Sequence, residues 1–205
     1  MPGRKKIKAI YSGHYHAFAV DTDGAVWAWG LNNYGQTGVY SDNGSDPLLT
    51  IPSPMIVDKL SEYDVAHMAS GSCHTAVVTR DGDLLCWGRM DAHQAGASRS
   101  KVVDQDIIKD VAGKDRILIT PTKISEQKFA TVECGLEHSI AIDTDGAAWS
   151  WGFGEMFQVG HGPPSRDIEE PTKIENSKTK LVFLKAASCG GNFSLIAGVP
   201  HEDNE

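Results

Sequence analysis

Residues 16–30 read HAFAVDTDGAVWAWG. The β-prone run HAFAV leads into Asp23-Gly24 and AVWAWG leads out, the pattern of two antiparallel strands joined at a tight turn. Asp-Gly suits two-residue turns whose backbone needs positive φ, because glycine takes that conformation at little steric cost. Two near-copies follow, HTAVVTRDGDLLCWG over 74–88 and HSIAIDTDGAAWSWG over 138–152.

Working outward, each copy opens on a glycine, Gly13, Gly71 or Gly135. The turn pairs are Asp23-Gly24, Asp81-Gly82 and Asp145-Gly146; the strand ends are Trp29-Gly30, Trp87-Gly88 and Trp151-Gly152. Gln36, Gln94 and Gln158 follow, then Gly38, Gly96 and Gly160, so that the frames 13–38, 71–96 and 135–160 align without a gap. Agreement at this many positions marks an internal repeat. A fourth origin, Gly190, lies in SCGGNFSLIAG, within the closing segment 186–198.

Between the frames lie SPMIVDKL, TPTKISEQ and EPTKIENS. Each reads as an outer strand, because proline is tolerated on sheet edges and at strand starts. Small residues beside the opening glycines (Ser12, Ala69, Ser70, Ser188) suit strands whose neighbouring backbones crowd together. A spacing of about 60 residues with about four strands per copy predicts propeller blades. No sustained helical periodicity supports an α-solenoid. The expected fold is all-β: blades of four-stranded antiparallel sheets, about three of them, plus a closing strand pair. The expected domain spans 9–199, between a basic segment 1–8 and an acidic tail 200–205.

The 205 residues suffice for one domain with a sizeable core, and 40% of them are hydrophobic. Nineteen Lys and Arg against 27 Asp and Glu give a net charge of −8, which leaves no basic footprint for nucleic acid. No apolar run is long enough to span a bilayer, and MPGRKKIK has no apolar core behind its basic cluster. Arg4, Lys5, Lys6 and Lys8 read as a solvated terminus, with a nuclear address as the alternative. Cys73, Cys86, Cys134 and Cys189 never approach a C-x-x-C spacing and read as small core residues in a reducing compartment, with a zinc site as the alternative. No nucleophile elbow, P-loop, H-E-x-x-H or EF-hand loop is present, so no covalent chemistry and no cofactor or metal is expected.

The G-x-x-H, Asp-Gly, Trp-Gly and Q-x-G elements at these separations resemble the regulator of chromosome condensation repeats, over residues 6 to 198. The type member of that family is the guanine-nucleotide exchange factor for the small GTPase Ran. The order of the blades is similar to the C-terminal half of the fungal exchange factors, including the insertion KDVAGKDRILITPTKI. The resemblance implies a seven-bladed ring, of which this sequence holds a part. In such rings the first and last strands commonly pair within one blade; SCGGNFSLIAG looks like that closing pair, and its partner is expected upstream of Met1. The chain is then a fragment, a partial gene model, or a protein that self-associates.

The resemblance further implies exchange by preferential binding of the nucleotide-free GTPase, in the nucleus on chromatin, with the cytoplasm as a second compartment. Chromatin contact would use regions outside this sequence. His16, His74 and His138 share one offset, which argues for a structural hydrogen bond in each blade. The resemblance places His74 on the Ran-facing side and matches Asn33 to a polar Ran-contacting position; His16 and His138 complete the expected partner-binding set. Phe193 departs from the pattern, which usually carries His there. The tryptophans read as core packing: ultraviolet receptors built on the same repeats carry G-W-R-H where this chain has Gly-His-Tyr-His, Gly-Ser-Cys-His and Gly-Leu-Glu-His. The second reading of function is a protein-interaction propeller of the same family without exchange activity.

Overall fold

The computed structural model describes residues 5–40 and 48–201. Alternation of inward and outward side chains makes each hairpin one layer of a sheet, and stacked sheets bury the inward set. Blade 1 pairs β1 (Ile7–Ser12), β2 (His16–Asp21), β3 (Val26–Leu31) and β4 (Thr50–Ile56) in sequence order, all antiparallel. Blade 2 uses β5 (Val65–Ser70), β6 (His74–Thr79) and β7 (Leu84–Arg89), then β9 (Asp115–Lys123). Blade 3 uses β10 (Phe129–Cys134), β11 (His138–Asp143), β12 (Ala148–Gly152) and β13 (Ile168–Lys173). The last sheet is the pair β14 (Val182–Cys189) and β15 (Ser194–Pro200).

The Pro-containing segments supply the fourth strands β4, β9 and β13; β4 and β13 are sheet edges, and Pro121 of β9 lies beyond the stretch of that strand paired with β8. Blade 2 departs from four strands: β8 (Ile107–Lys109) adds a fifth at its outer edge, paired with β9. The turns also differ from the two-residue form. Thr22, Asp23 and Gly24 lie between Asp21 and Ala25, with Asp21 N–H donating to Ala25 O at 3.0 Å and Gly24 at φ +89°. A type I turn followed by a left-handed glycine fits three residues. The carboxylate that organises the turn is therefore Asp21, whose Oδ1 accepts from Asp23 N and Ala25 N, each at 3.0 Å, while Asp23 is exposed.

The strand β1 begins inside the expected basic segment, at Ile7. Arg4 lies outside the described residues, as do residues 202–205 of the acidic tail; Pro200 ends β15 and His201 N–H donates to Leu181 O at 3.0 Å. The core lies between blades. Phe18, Val57, Trp87, Leu118, Phe129 and Trp151 belong to one cluster crossing blades 1 to 3, and Ile140, Ile174 and Leu184 join blade 3 to the last sheet. Cys86 is buried, the other three cysteines are half-buried, and none forms a disulfide.

The blades approach closely at their first strands. A Cβ on Gly13 would lie 2.7 Å from Gly71 O in the next blade, and one on Gly135 would lie 2.6 Å from Gly190 O. Glycine at the opening position is required by that approach.

Candidate partner-binding face

The hairpin register puts two sets of loops at one end of every blade. Leu31, Arg89 and Phe153 donate their N–H groups to Tyr15, Cys73 and Glu137 O, at 2.8, 2.9 and 2.8 Å, tying the turn before each second strand to the loop after each third. The Asp-Gly turns lie at the opposite end.

On the loop face a polar network crosses three blades. The Arg89 guanidinium pairs with Asp91 in its own loop and with Glu137 of blade 3 at 2.7 Å. It also lies 5.1 Å from the ring centre of Tyr34 in blade 1, and Arg116 lies 5.2 Å from the same ring and donates to the Tyr34 hydroxyl at 3.2 Å. Two cations over one phenol ring join blades 1 and 2 by cation–π attraction. In the loops at this end of the blades Tyr15, Met156, Phe157 and Phe193 are more than half exposed. Phe157 and His93 hold left-handed backbone, at φ +62° and +59°, at the position where blade 1 has Gly35. Large side chains rarely take that conformation.

Of the expected partner-binding residues, the structure brings Asn33 to the surface of this face, where its Oδ1 accepts from Gln36 Nε2 at 3.2 Å. The three histidines lie inside. His16 is 4% exposed and His74 and His138 are 0% exposed. Each reaches a hydroxyl in the following blade: His16 Nε2 stands 3.2 Å from Thr75 Oγ1, His74 Nε2 2.9 Å from Ser139 Oγ, and His138 Nε2 2.9 Å from Ser194 Oγ. Burial pushes their pKa values down to about 4, 3 and 4 respectively, so all three are neutral near pH 7. Each Nδ1 is buried without a hydrogen-bond partner.

A second tie runs back across the same seams. Trp87 Nε1 donates to Gln36 O at 3.1 Å and Trp151 Nε1 to Gln94 O at 3.0 Å. Thr75, which meets His16, also donates to Gln36 O at 2.8 Å. Reading by residue type singled out the histidines and Asn33 but passed over Arg89, Glu137, Tyr34 and Arg116. Tyr34 and Arg89 follow Trp-Gly pairs, Glu137 fills the variable position before His138, and Arg116 lies in β9, so no shared motif marks them. Among the described residues no group of three or more His, Cys, Asp or Glu is placed to hold a metal ion, and no helix is long and apolar enough to cross a membrane.

A stack of antiparallel four-stranded repeat blades presenting one loop face with polar, aromatic and cationic groups defines a β-propeller repeat protein. Residues 1–196 match the RCC1-like domain model, and the chain belongs to the RCC1-like domain family. It is 37% identical over 202 residues to "Protein pim1" of Schizosaccharomyces pombe, covering 98% of this chain and 37% of the relative. It is also 37% identical over 204 residues to "Guanine nucleotide exchange factor SRM1" of Saccharomyces cerevisiae, covering 99% and 42%. Prp20p of Saccharomyces cerevisiae, whose crystal structure was described with its binding properties to Gsp1p and histones, superposes with a TM-score of 0.89 at 36% identity, over 98% of this chain and 45% of that one. The chain thus spans less than half the length of these relatives.

Proposed function

We propose that the chain is the C-terminal part of a Ran-type guanine-nucleotide exchange factor and that it binds the GTPase through the loop face. The observation that carries this reading is the 37% identity over 204 residues to a protein named as a guanine nucleotide exchange factor. Exchange needs no nucleophile or metal. A protein that binds the nucleotide-free GTPase more tightly than the loaded form lowers nucleotide affinity by the same factor, because coupling between two ligands is reciprocal.

Asn33, Tyr34, Arg89 and Tyr15 supply the contact chemistry, since aromatic and arginine side chains dominate binding energy at interfaces. His74 has no exposed atom and acts as a positioning residue: it fixes the seam between blades 2 and 3, on which the Arg89–Glu137 pair also lies. His16 and His138 act in the same way at their own seams. The nucleus, on chromatin, is the proposed location, in keeping with the histone binding described for Prp20p.

The test measures binding to nucleotide-free Ran-type GTPase together with release of a fluorescent GDP analogue. Binding weakened about tenfold or more by Arg89→Ala, in a variant whose melting is unchanged, supports the reading. A folded chain that neither binds the nucleotide-free GTPase nor speeds release overturns it in favour of an interaction module with another partner.

A further inference from the structure

Blade 2 carries one element that blades 1 and 3 lack, the hairpin β8–β9. Strand β7 ends at Arg89, opposite Ile117, and Met90 N–H donates to Arg116 O at 2.9 Å. The hairpin runs past that point to the pair Lys109–Asp115 and then turns. Its tip therefore overhangs the loop face at the outer rim of blade 2.

The turn reuses the device of the Asp-Gly hairpins. Asp110 N–H donates to Lys114 O at 2.8 Å and Gly113 N–H to Asp110 O at 2.9 Å, with Gly113 at φ +80°. Asp110 Oδ1 accepts from Ala112 N and Lys114 N, at 2.8 and 2.9 Å, as Asp21 Oδ1 does from Asp23 N and Ala25 N. What differs is the pair of residues displayed. The three blade turns carry Thr22-Asp23, Arg80-Asp81 and Thr144-Asp145 at their tips; this one carries Val111-Ala112, with Val111 fully exposed. A lone surface valine is ordinary, but here both tip positions have changed from polar to apolar on a turn whose shape is held by its own hydrogen bonds.

The charge beside the tip is positive. Asp110 is committed to the turn and Asp115 pairs with Arg99 at 3.4 Å, which leaves the exposed Lys114 and Arg116. At the foot of the hairpin Lys114 and Asp115 line a cleft of about 360 Å3 shared with Met90, His93, Ala97 and Glu169. The surface thus offers a partner a projecting apolar tip next to an open recess, and a tip already fixed in shape loses little conformational freedom on binding.

We propose that the β8–β9 hairpin is a second docking element for the GTPase, with Val111 entering an apolar depression whose bordering carboxylates meet Lys114 and Arg116. The inference rests on the exchange-factor reading and adds to it a contact set apart from Arg89. The occupant follows from continuity. Arg116 lies 5.2 Å from the Tyr34 ring centre and donates to its hydroxyl, so a protein that covers Tyr34 meets Arg116, two residues from Lys114. The acidic border follows from charge complementarity.

The test labels the valine methyl groups of the chain with carbon-13 and follows them by NMR as nucleotide-free Ran-type GTPase is added. Affinity is measured in parallel by calorimetry for the chain and for Val111→Asp, Val111→Ile and Lys114→Glu. Both side chains stand in solvent, so the melting curves are expected to coincide. The Val111 methyl resonances are expected to shift on binding. Val111→Asp, which would bury an unpaired carboxylate, is expected to weaken binding at least about tenfold, and Val111→Ile to keep the original affinity. Lys114→Glu is expected to weaken it about threefold and to reduce its salt dependence. Equal affinity of the chain and Val111→Asp, or Val111 methyl groups unmoved at saturation, overturns the role of the hairpin and leaves the exchange-factor reading in place. A chain that melts cooperatively and does not bind the GTPase overturns both.

Discussion

His74 Nε2 and Ser139 Oγ lie 2.9 Å apart across the seam between blades 2 and 3, sealed from solvent at 0% exposure on both sides. Because Ser139 Oγ also lies 3.3 Å from Cys134 Sγ as donor, the hydroxyl proton is directed away and the imidazole Nε2–H donates to Ser139. His74→Ala removes this bond and opens a cavity, so it is expected to cost about 2–4 kcal/mol. Ser139→Ala is expected to cost about 1–2 kcal/mol. A double-mutant cycle read by urea unfolding checks the pair: a coupling near zero would show that the bond contributes nothing to the seam.

The depressed histidine pKa values set a pH dependence. The folded values near 3 to 4 lie below the unfolded value near 6.5, so the unfolded state binds more protons between them. Stability is therefore full above about pH 6.5 and falls as the pH drops towards 4, by up to about 1.4 kcal/mol per pH unit for each histidine. Half-buried His161, also lowered by burial, adds to the slope; Asp21, lowered by the Trp27 hydrogen bond, and Asp83, lowered by Lys128, add theirs only below the carboxylate range. Urea unfolding at several pH values is expected to show this slope, and His138→Gln to reduce it by about one proton.

Trp87 is 0% exposed and its indole links two blades. Trp87→Ala is expected to cost about 3–5 kcal/mol through the cavity it leaves. Trp87→Phe keeps much of the packing but leaves Gln36 O with Thr75 as its remaining donor, at an expected cost of about 1–2 kcal/mol. An unchanged melting curve for the alanine variant would contradict the burial.

At the opposite end of the blades, Asp21 Oδ2 accepts from Trp27 Nε1 at 3.0 Å and Asp143 Oδ2 from Trp149 Nε1 at 2.7 Å. Blade 2 has Thr79 and Leu85 at these positions, so both members of the pair are exchanged together. Asp143→Thr alone leaves the Trp149 indole N–H and the turn N–H groups with a weaker acceptor, an expected loss of about 1–3 kcal/mol. The double variant with Trp149→Leu is expected to recover part of that loss, as thermal melts of the two would show.

The repeated hairpins, the outer proline strands and the closing pair were legible because strand alternation and turn residues are local signals. The turn length was not, because it is set by the Asp21 carboxylate two residues before the Asp-Gly pair. The partners of the histidines were half visible. Thr75, Ser139 and Ser194 directly follow His74, His138 and Phe193, but each serves the histidine one blade earlier, a pairing that appears only once the blades are stacked. The Arg89–Glu137 and Arg116–Tyr34 contacts join loops with no common motif, and composition carries no trace of which loops meet. The departure at Phe193 was legible: its exposed ring lines the groove beside Gln158, Gly160 and Ile174, where the earlier frames carry a buried histidine.

The seam ties have a direction. A histidine reaches forward to a hydroxyl in the following blade, and an indole reaches back to a carbonyl in the preceding one. Blade 2 carries all four parts: His74, Thr75, Trp87 and the Gln94 carbonyl. A segment of the gene encoding one such unit, duplicated in tandem, would arrive already fitted to both neighbours. The array can therefore lengthen by copying without inventing a new joint, and the shared positions of its three frames are those that build the joint.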